Sequence, residues 1–185
     1  NATECTHAVI YNVREQTWYD TALPSTGRSC GLYAKVYNKP LMTDLVATGS
    51  GTGYTLWQHE TGTDSINGSS ILAIRSYFET ANISLITAQE PVNKSLSVSF
   101  FEPDFVQVGA MAVTVSGQAN ARSPDMLTES HTFQDVAVES FDQVVPFKAT
   151  ARILRFKFES NVAGGNYQMG KILAHIQPAD GKITS

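Results

Sequence analysis

Four histidines, two cysteines and seventeen carboxylates are the side chains of this sequence that could act as acids, bases, nucleophiles or metal ligands. Catalysis needs such groups brought together with shifted pKa values, so the question is whether any of them cluster. His59 stands beside Glu60 in an apolar-polar stretch that reads as a strand, where neighbouring side chains point to opposite faces and cannot easily chelate one ion. A zinc site would need further ligands at suitable spacing, and none accompanies this pair. Glu102-Pro103-Asp104 places two carboxylates at a turn, a pattern that suggests calcium binding or general acid work. A calcium loop offers more oxygen ligands than this, so a solvated turn at a strand end is the expectation. Gly62 to Gly68 carries acid and amide oxygens, but Asp, Asn and Gly are also what a tight turn requires. Gly49-Ser50-Gly51-Thr52-Gly53 lacks the Lys-Ser/Thr pair and the helix that a phosphate loop needs. Neither a Gly-X-Ser-X-Gly elbow nor a Cys-X-X-Cys pair is present. A glycan hydrolase would need two carboxylates across a cleft, with Glu60, Glu79, Glu102 and Asp104 as the available groups. The expectation is a protein without catalytic residues, metal ligands or cofactor.

The elements that would position these groups are strands. Of the 185 residues, 42% are hydrophobic and 16% charged, enough to bury a core in one or two domains. Seven Tyr, nine Phe and two Trp, with abundant Val, Ile and Thr, favour pleated half-buried surfaces. A formal charge of −4 argues against a general phosphate-binding surface. Apolar runs such as Gly109 to Val115 have strand length, well short of the ~18 residues of a membrane helix. The start, Asn1-Ala2-Thr3-Glu4-Cys5, lacks a Met, a basic region and an apolar region, so a segment of a longer chain or a processed one is expected. Cys5 and Cys30 could pair, although two cysteines do not define a framework. Asn1, Asn67, Asn82 and Asn93 begin Asn-X-Ser/Thr triplets, which chance explains in a chain this rich in Ser and Thr.

Along the chain, His7 to Val13 and Trp18-Tyr19 flank a polar turn and predict a hairpin. Gly31 to Asn38 alternates Leu32, Ala34 and Val36 against Tyr33, Lys35 and Tyr37, and Tyr54 to Glu60 follows the glycine-rich break. These short strands around a Trp have the layout of one β-propeller blade, or of a small antiparallel sheet of another kind, over residues 1–65. Residues 66–185 predict an antiparallel β-sandwich. Its strands are Ser70 to Arg75, Tyr77 to Ile86, Ser95 to Phe101 and Phe105 to Ser116, the last with a bulge at Gly109, followed by Arg152 to Glu159 and Tyr167 to Gln177. Leu96, Val98 and Phe100 form one face of the third, and Val106, Val108, Ala110 and Ala112 one face of the fourth. Asn120 to Asp142 reads as polar loop, with room for a strand at His131 to Val138. Arg152, Arg155 and Lys157 make a basic stripe on one strand, able to face an acidic partner but more simply its solvent face.

Several short motifs carry a resemblance. Tyr11-Asn12, Trp18-Tyr19, Gly27-Arg28-Ser29, Leu56-Trp57-Gln58-His59-Glu60 and Ser76-Tyr77-Phe78-Glu79-Thr80 resemble the C-terminal part of large tail proteins of short-tailed bacteriophages. So do Phe101-Glu102-Pro103-Asp104-Phe105, Gly117-Gln118-Ala119, Phe158-Glu159-Ser160-Asn161 and Gly164 to Gly170. The family is that of nozzle, hub or DNA-stabilisation proteins, in which a β-propeller carries appended β-domains. The resemblance implies a non-enzymatic virion component, made in the host bacterial cytoplasm. Its partners would be other virion proteins and further copies in a ring at the DNA exit channel, with DNA passing but not held. Mild acidity suits such a channel. A lone blade cannot make a ring, which fits a C-terminal fragment. Tyr77 and Tyr167 are candidates for intersubunit contacts, with Phe78 expected in the core. The alternative is a carbohydrate-binding or adhesin-like sandwich that uses Trp57 or Trp18 as a sugar platform.

Overall fold

The computed structural model describes residues 5–23, 27–44, 54–85, 94–102, 104–135 and 144–179. Asn1, Asn93, Pro103, the Gly49 to Gly53 loop, Ile86 and the Val136 to Val138 end of a possible strand lie outside the described residues. The described residues are all-β, and the chain divides into two compact units, residues 1–71 and 72–185. That division falls a few residues beyond the one expected from composition.

The first unit holds small antiparallel sheets. Strands β1 (His7–Asn12) and β2 (Thr17–Ala22) form the expected hairpin, with Tyr11 opposite Trp18. Its turn places Gln16 at φ 55°, and Asn12 Oδ1 accepts from the amides of Arg14 and Glu15. Strands β3 (Cys30–Leu32), β4 (Leu41–Thr43) and β5 (Leu56–Gln58) make a three-stranded sheet in that order. The expected strand from Gly31 to Asn38 thus stops at Leu32, because the chain turns at residues 35–39 and Tyr37 N donates back to Ala34 O. The stretch from Asp64 to Asn67 is strand β6, not the turn expected there, and it forms a two-stranded sheet with β7 (Ser70–Ala73), the strand within which the division between the units falls. The left-handed residue between them is Gly68, at φ 60°. Among the described residues of this region the sheets have two or three strands each.

The second unit is the sandwich. One sheet runs β12 (Leu127–Phe133), β11 (Met111–Gln118), β14 (Ile153–Ser160), β8 (Ser76–Glu79), all antiparallel. The other runs β13 (Val145–Ala151), β9 (Ser95–Glu102), β16 (Leu173–Ala179). A small pair, β10 (Phe105–Val108) with β15 (Asn166–Met169), accompanies them. Met111, Val113 and Val115 of β11 and Leu154, Phe156 and Phe158 of β14 line one inner face. Leu96, Val98, Phe101, Val145, Phe147, Ala149 and Ala151 line the other. Residues of alternate parity on β11 and β12, Thr114 and Ser130 among them, face outward.

Three expectations about faces change. Against β16 the register of β9 slips between Val98 and Phe100, and the bulge at Ser99 puts Phe101, not Phe100, into the core. Phe100 is left half-buried with its ring stacked 3.7 Å from that of His175. The segment from Phe105 to Ser116 is two strands in two sheets, because Gly109 at φ 79° turns the chain between them. Val106 and Val108 are exposed and Gln107 is buried, its amide donating to the carbonyls of Gly109, Phe133 and Gln134. The expected closing strand from Tyr167 to Gln177 is likewise split, into β15 and β16. Strand β13 had no clear signal in the sequence, and β12 occupies part of what read as loop.

At Gly117 the sheets approach closely: a Cβ there would stand 2.6 Å from Ala151 Cβ. Gly117→Ala should therefore cost about 1–3 kcal/mol in urea unfolding, as overpacking does, although alanine ordinarily suits a strand better than glycine. An unchanged midpoint would contradict the packing described.

Candidate functional site

Two side-chain clusters stand out, one in each unit. In the first unit the chain brings Arg28, Asp44, Trp57 and His59 together. Cys5 and Arg28 exchange backbone hydrogen bonds, Ser29 N donates to Thr43 O, and Trp57 sits opposite Met42 in the sheet. The Arg28 guanidinium, in a residue 5% exposed, lies 4.2 Å from the Trp57 ring centroid and donates from Nε to His59 Nε2 at 3.1 Å. Trp57 Nε1 donates to Asp44 Oδ2 at 3.1 Å, and the Thr55 amide donates to Asp44 Oδ1 at 2.9 Å. Asp44 is itself buried, so these bonds offset a desolvation that would otherwise be costly. This is a polar knot that closes a sheet with little apolar core.

Because Arg28 Nε carries its proton, His59 Nε2 must offer a lone pair. Burial, followed by the Arg28 charge, lowers the His59 pKa below 6.5, and the Glu60 carboxylate opposes this. His59 and Glu60, expected within a strand, lie beyond its end: β5 stops at Gln58 and Glu60 takes a left-handed φ of 56°.

The second cluster lies on the outer face of the sandwich, where β8 and β14 pair. Tyr77 stands opposite Glu159, and both the Arg75 guanidinium and Lys157 Nζ lie 5.2 Å from the Tyr77 ring centroid. Arg75 forms a two-pronged pair with Glu159, which Lys157 also contacts at 2.5 Å. The hydrogen bond from Arg75 leads in holding the Glu159 carboxyl down to about 2. Farther along, Arg155 bridges Glu79 at 3.3 Å and Asp125 at 2.7 Å.

The other residues singled out from the sequence fall as follows. Trp57 is 7% exposed, so it is no sugar platform; Trp18, 70% exposed and 4.6 Å from the Tyr11 ring, is the accessible one. Phe78, expected in the core, is 47% exposed because β8 is an edge strand, although its ring still stacks on Phe158. Tyr167 is half-buried against the core, and its hydroxyl accepts from Ser76. The basic stripe breaks up. Arg152 lies exposed between β13 and β14, and Ile153 and Leu154 are both buried, so alternation is lost between Arg152 and Arg155. Arg155 and Lys157 are already paired with carboxylates. The acidic candidates have separate local partners: Glu79 has Arg155, Glu102 has His175 at 2.8 Å, and Asp104 accepts from the Lys171 amide at 2.5 Å. Cys5 and Cys30 are exposed free thiols, and Cys30 Sγ contacts Thr43 Oγ1. Among the described residues no group of three His, Cys, Asp or Glu could hold a metal ion, and no helix could cross a membrane. Composition pointed to neither cluster; each depends on pairings remote in sequence.

No protein-family model matches the chain, and no curated protein matches it significantly.

The Arg28–His59 contact sets a pH dependence. A folded-state histidine pKa below 6.5 means that the unfolded chain binds the proton more readily. The contribution to stability is complete above about 6.5 and falls away as pH drops toward the lowered value. His59→Gln keeps an acceptor without the titration and should flatten this acid-side loss for the first unit, read by amide hydrogen exchange across pH. An identical pH profile in the variant would refute the link.

Proposed function

We propose that this chain is a non-enzymatic structural part of a bacteriophage virion, a tail component of the nozzle or hub kind in a short-tailed virus. Its neighbours would be other virion proteins and further copies arranged in a ring, with DNA passing through without specific binding. The observation that carries the reading is the imbalance of the first unit. Among its described residues Trp57 is the one buried hydrophobic side chain, while Val9, Val13, Trp18, Leu32, Tyr33, Val36 and Tyr54 are each at least 65% exposed. Monomeric surfaces seldom leave so much apolar area in water, and association with neighbours would remove it. The resemblance of short motifs to those of tail proteins, and the net charge of −4, support the same reading.

Electron microscopy of the protein should show rings, or particles docked on portal complexes. Tyr33→Asp and Val36→Asp change exposed positions outside the strands, so they should move stability by no more than about 0.5 kcal/mol while preventing assembly. A protein that is strictly monomeric and absent from purified virions would overturn the proposal.

The exposed Tyr11–Trp18 pair favours a second reading, a carbohydrate-binding module. Glycan-array binding lost in a folded Trp18→Ala variant would support it, and silence across the array would count against it.

A further inference from the structure

Each edge of the two large sheets in the sandwich presents a different problem to an incoming strand. On β12 the Glu129 carboxylate accepts from the Lys148 amide, which ties that strand to β13. Strand β16 carries Pro178, which has no amide proton to offer. Among the described residues strand β8, in contrast, pairs with β14 on one side only, and it presents Tyr77 and Phe78, each nearly half exposed.

The phase of its backbone is fixed by the next residue. Thr80 N donates to Phe156 O, in step with the register in which Glu79 faces Lys157 and Tyr77 faces Glu159. In an antiparallel ladder the residues whose amide and carbonyl point toward one neighbour alternate with those pointing away. Ser76, Phe78 and Thr80 therefore direct their backbone groups at β14. Those of Arg75, Tyr77 and Glu79 point outward, to the open side.

We infer that β8 is a docking edge for a second copy of this chain, joined antiparallel about a two-fold axis through Tyr77. In that register Tyr77 faces its own counterpart and exchanges both backbone hydrogen bonds with it. Arg75 faces the partner's Glu79, and Glu79 the partner's Arg75. The outward backbone groups and the opposite charges thus fall into step in a single register, which is what an isologous contact requires. The guanidinium is 53% exposed and the Glu79 side chain 37%, so the charges select register more than they add affinity. Affinity comes from the new ladder bonds and from covering the Tyr77 and Phe78 rings. A two-fold contact closes on itself and would not build a ring, so this inference stands apart from the tail reading.

Sedimentation of the 185-residue chain should show a reversible, concentration-dependent doubling of the 20.1 kDa mass. Tyr77→Pro removes an amide proton that β14 does not use, so the variant should keep the far-UV spectrum and melting of the parent and sediment as a monomer. A second arm is independent of tolerance to proline. In a Cys5→Ser, Cys30→Ser background, Tyr77→Cys should form a disulfide-linked dimer under mild oxidation, whereas Val106→Cys, also exposed but off this edge, should not. A wild-type chain that remains monomeric at its solubility limit overturns the inference, as does a dimer that survives in folded Tyr77→Pro or equal cross-linking of the two cysteine variants.

Discussion

The sandwich depends on the pairing of β11 with β14. Val113 lies opposite Phe158, Val115 opposite Phe156 and Gly117 opposite Leu154, so aromatic rings alternate with small β-branched side chains across one inner face. Each of these Phe and Val side chains is almost wholly removed from water, a gain of about 1.5–3 kcal/mol per residue. The remaining strands are placed by this pair: β12 and β8 extend it sideways, and β9 and β13 cover it. The absence of a side chain at Gly117 lets Ala151 approach closely enough for the faces to interlock. The outward residues of the same two strands are free to be polar, and there Arg155, Lys157 and Glu159 form their ion pairs.

The first unit is held differently. With few apolar side chains inside, its three-stranded sheet relies on a stacked cation and on hydrogen bonds to a buried carboxylate. Such bonds have strict geometry and tolerate little substitution, whereas an apolar core adapts. The two units thus respond to different stresses. Loss of a methyl group matters most in the sandwich, and a change of protonation matters most around Arg28.

Much of the sandwich was legible in the residues, because period-two alternation is explicit in β9, β11 and β14. The errors arose where the backbone breaks that period. A bulge at Ser99 exchanges the roles of Phe100 and Phe101, and Gly109 redirects a strand that looked continuous. The segment from Gly31 to Asn38 alternates well yet curls into turns after Leu32, since alternation cannot tell whether a partner strand will be present. For the clusters, Arg28 and His59 are 31 residues apart and Arg75 and Glu159 84 apart, and neither pairing has a local signal. Trp57 was conspicuous as a residue, but its burial depends on Arg28 and Asp44. Of the acidic candidates, Glu79, Glu102 and Asp104 each have a separate partner in the fold.

The edge position of β8 also bears on how the chain acquires its structure. Strand β8 reaches its partner β14 only after the 73 residues from 80 to 152 have been threaded between them, and the pairings of β9 with β13 and β16 also span long stretches of sequence. Such a topology defers its rewards until distant segments meet, which places folding in the millisecond-to-second range typical of non-local sheets. During that interval β14, rich in phenylalanine, waits with an open side. The same ladder that later holds β8 is then available to any extended chain nearby, so the yield of native protein will depend on how dilute the newly made chains are kept.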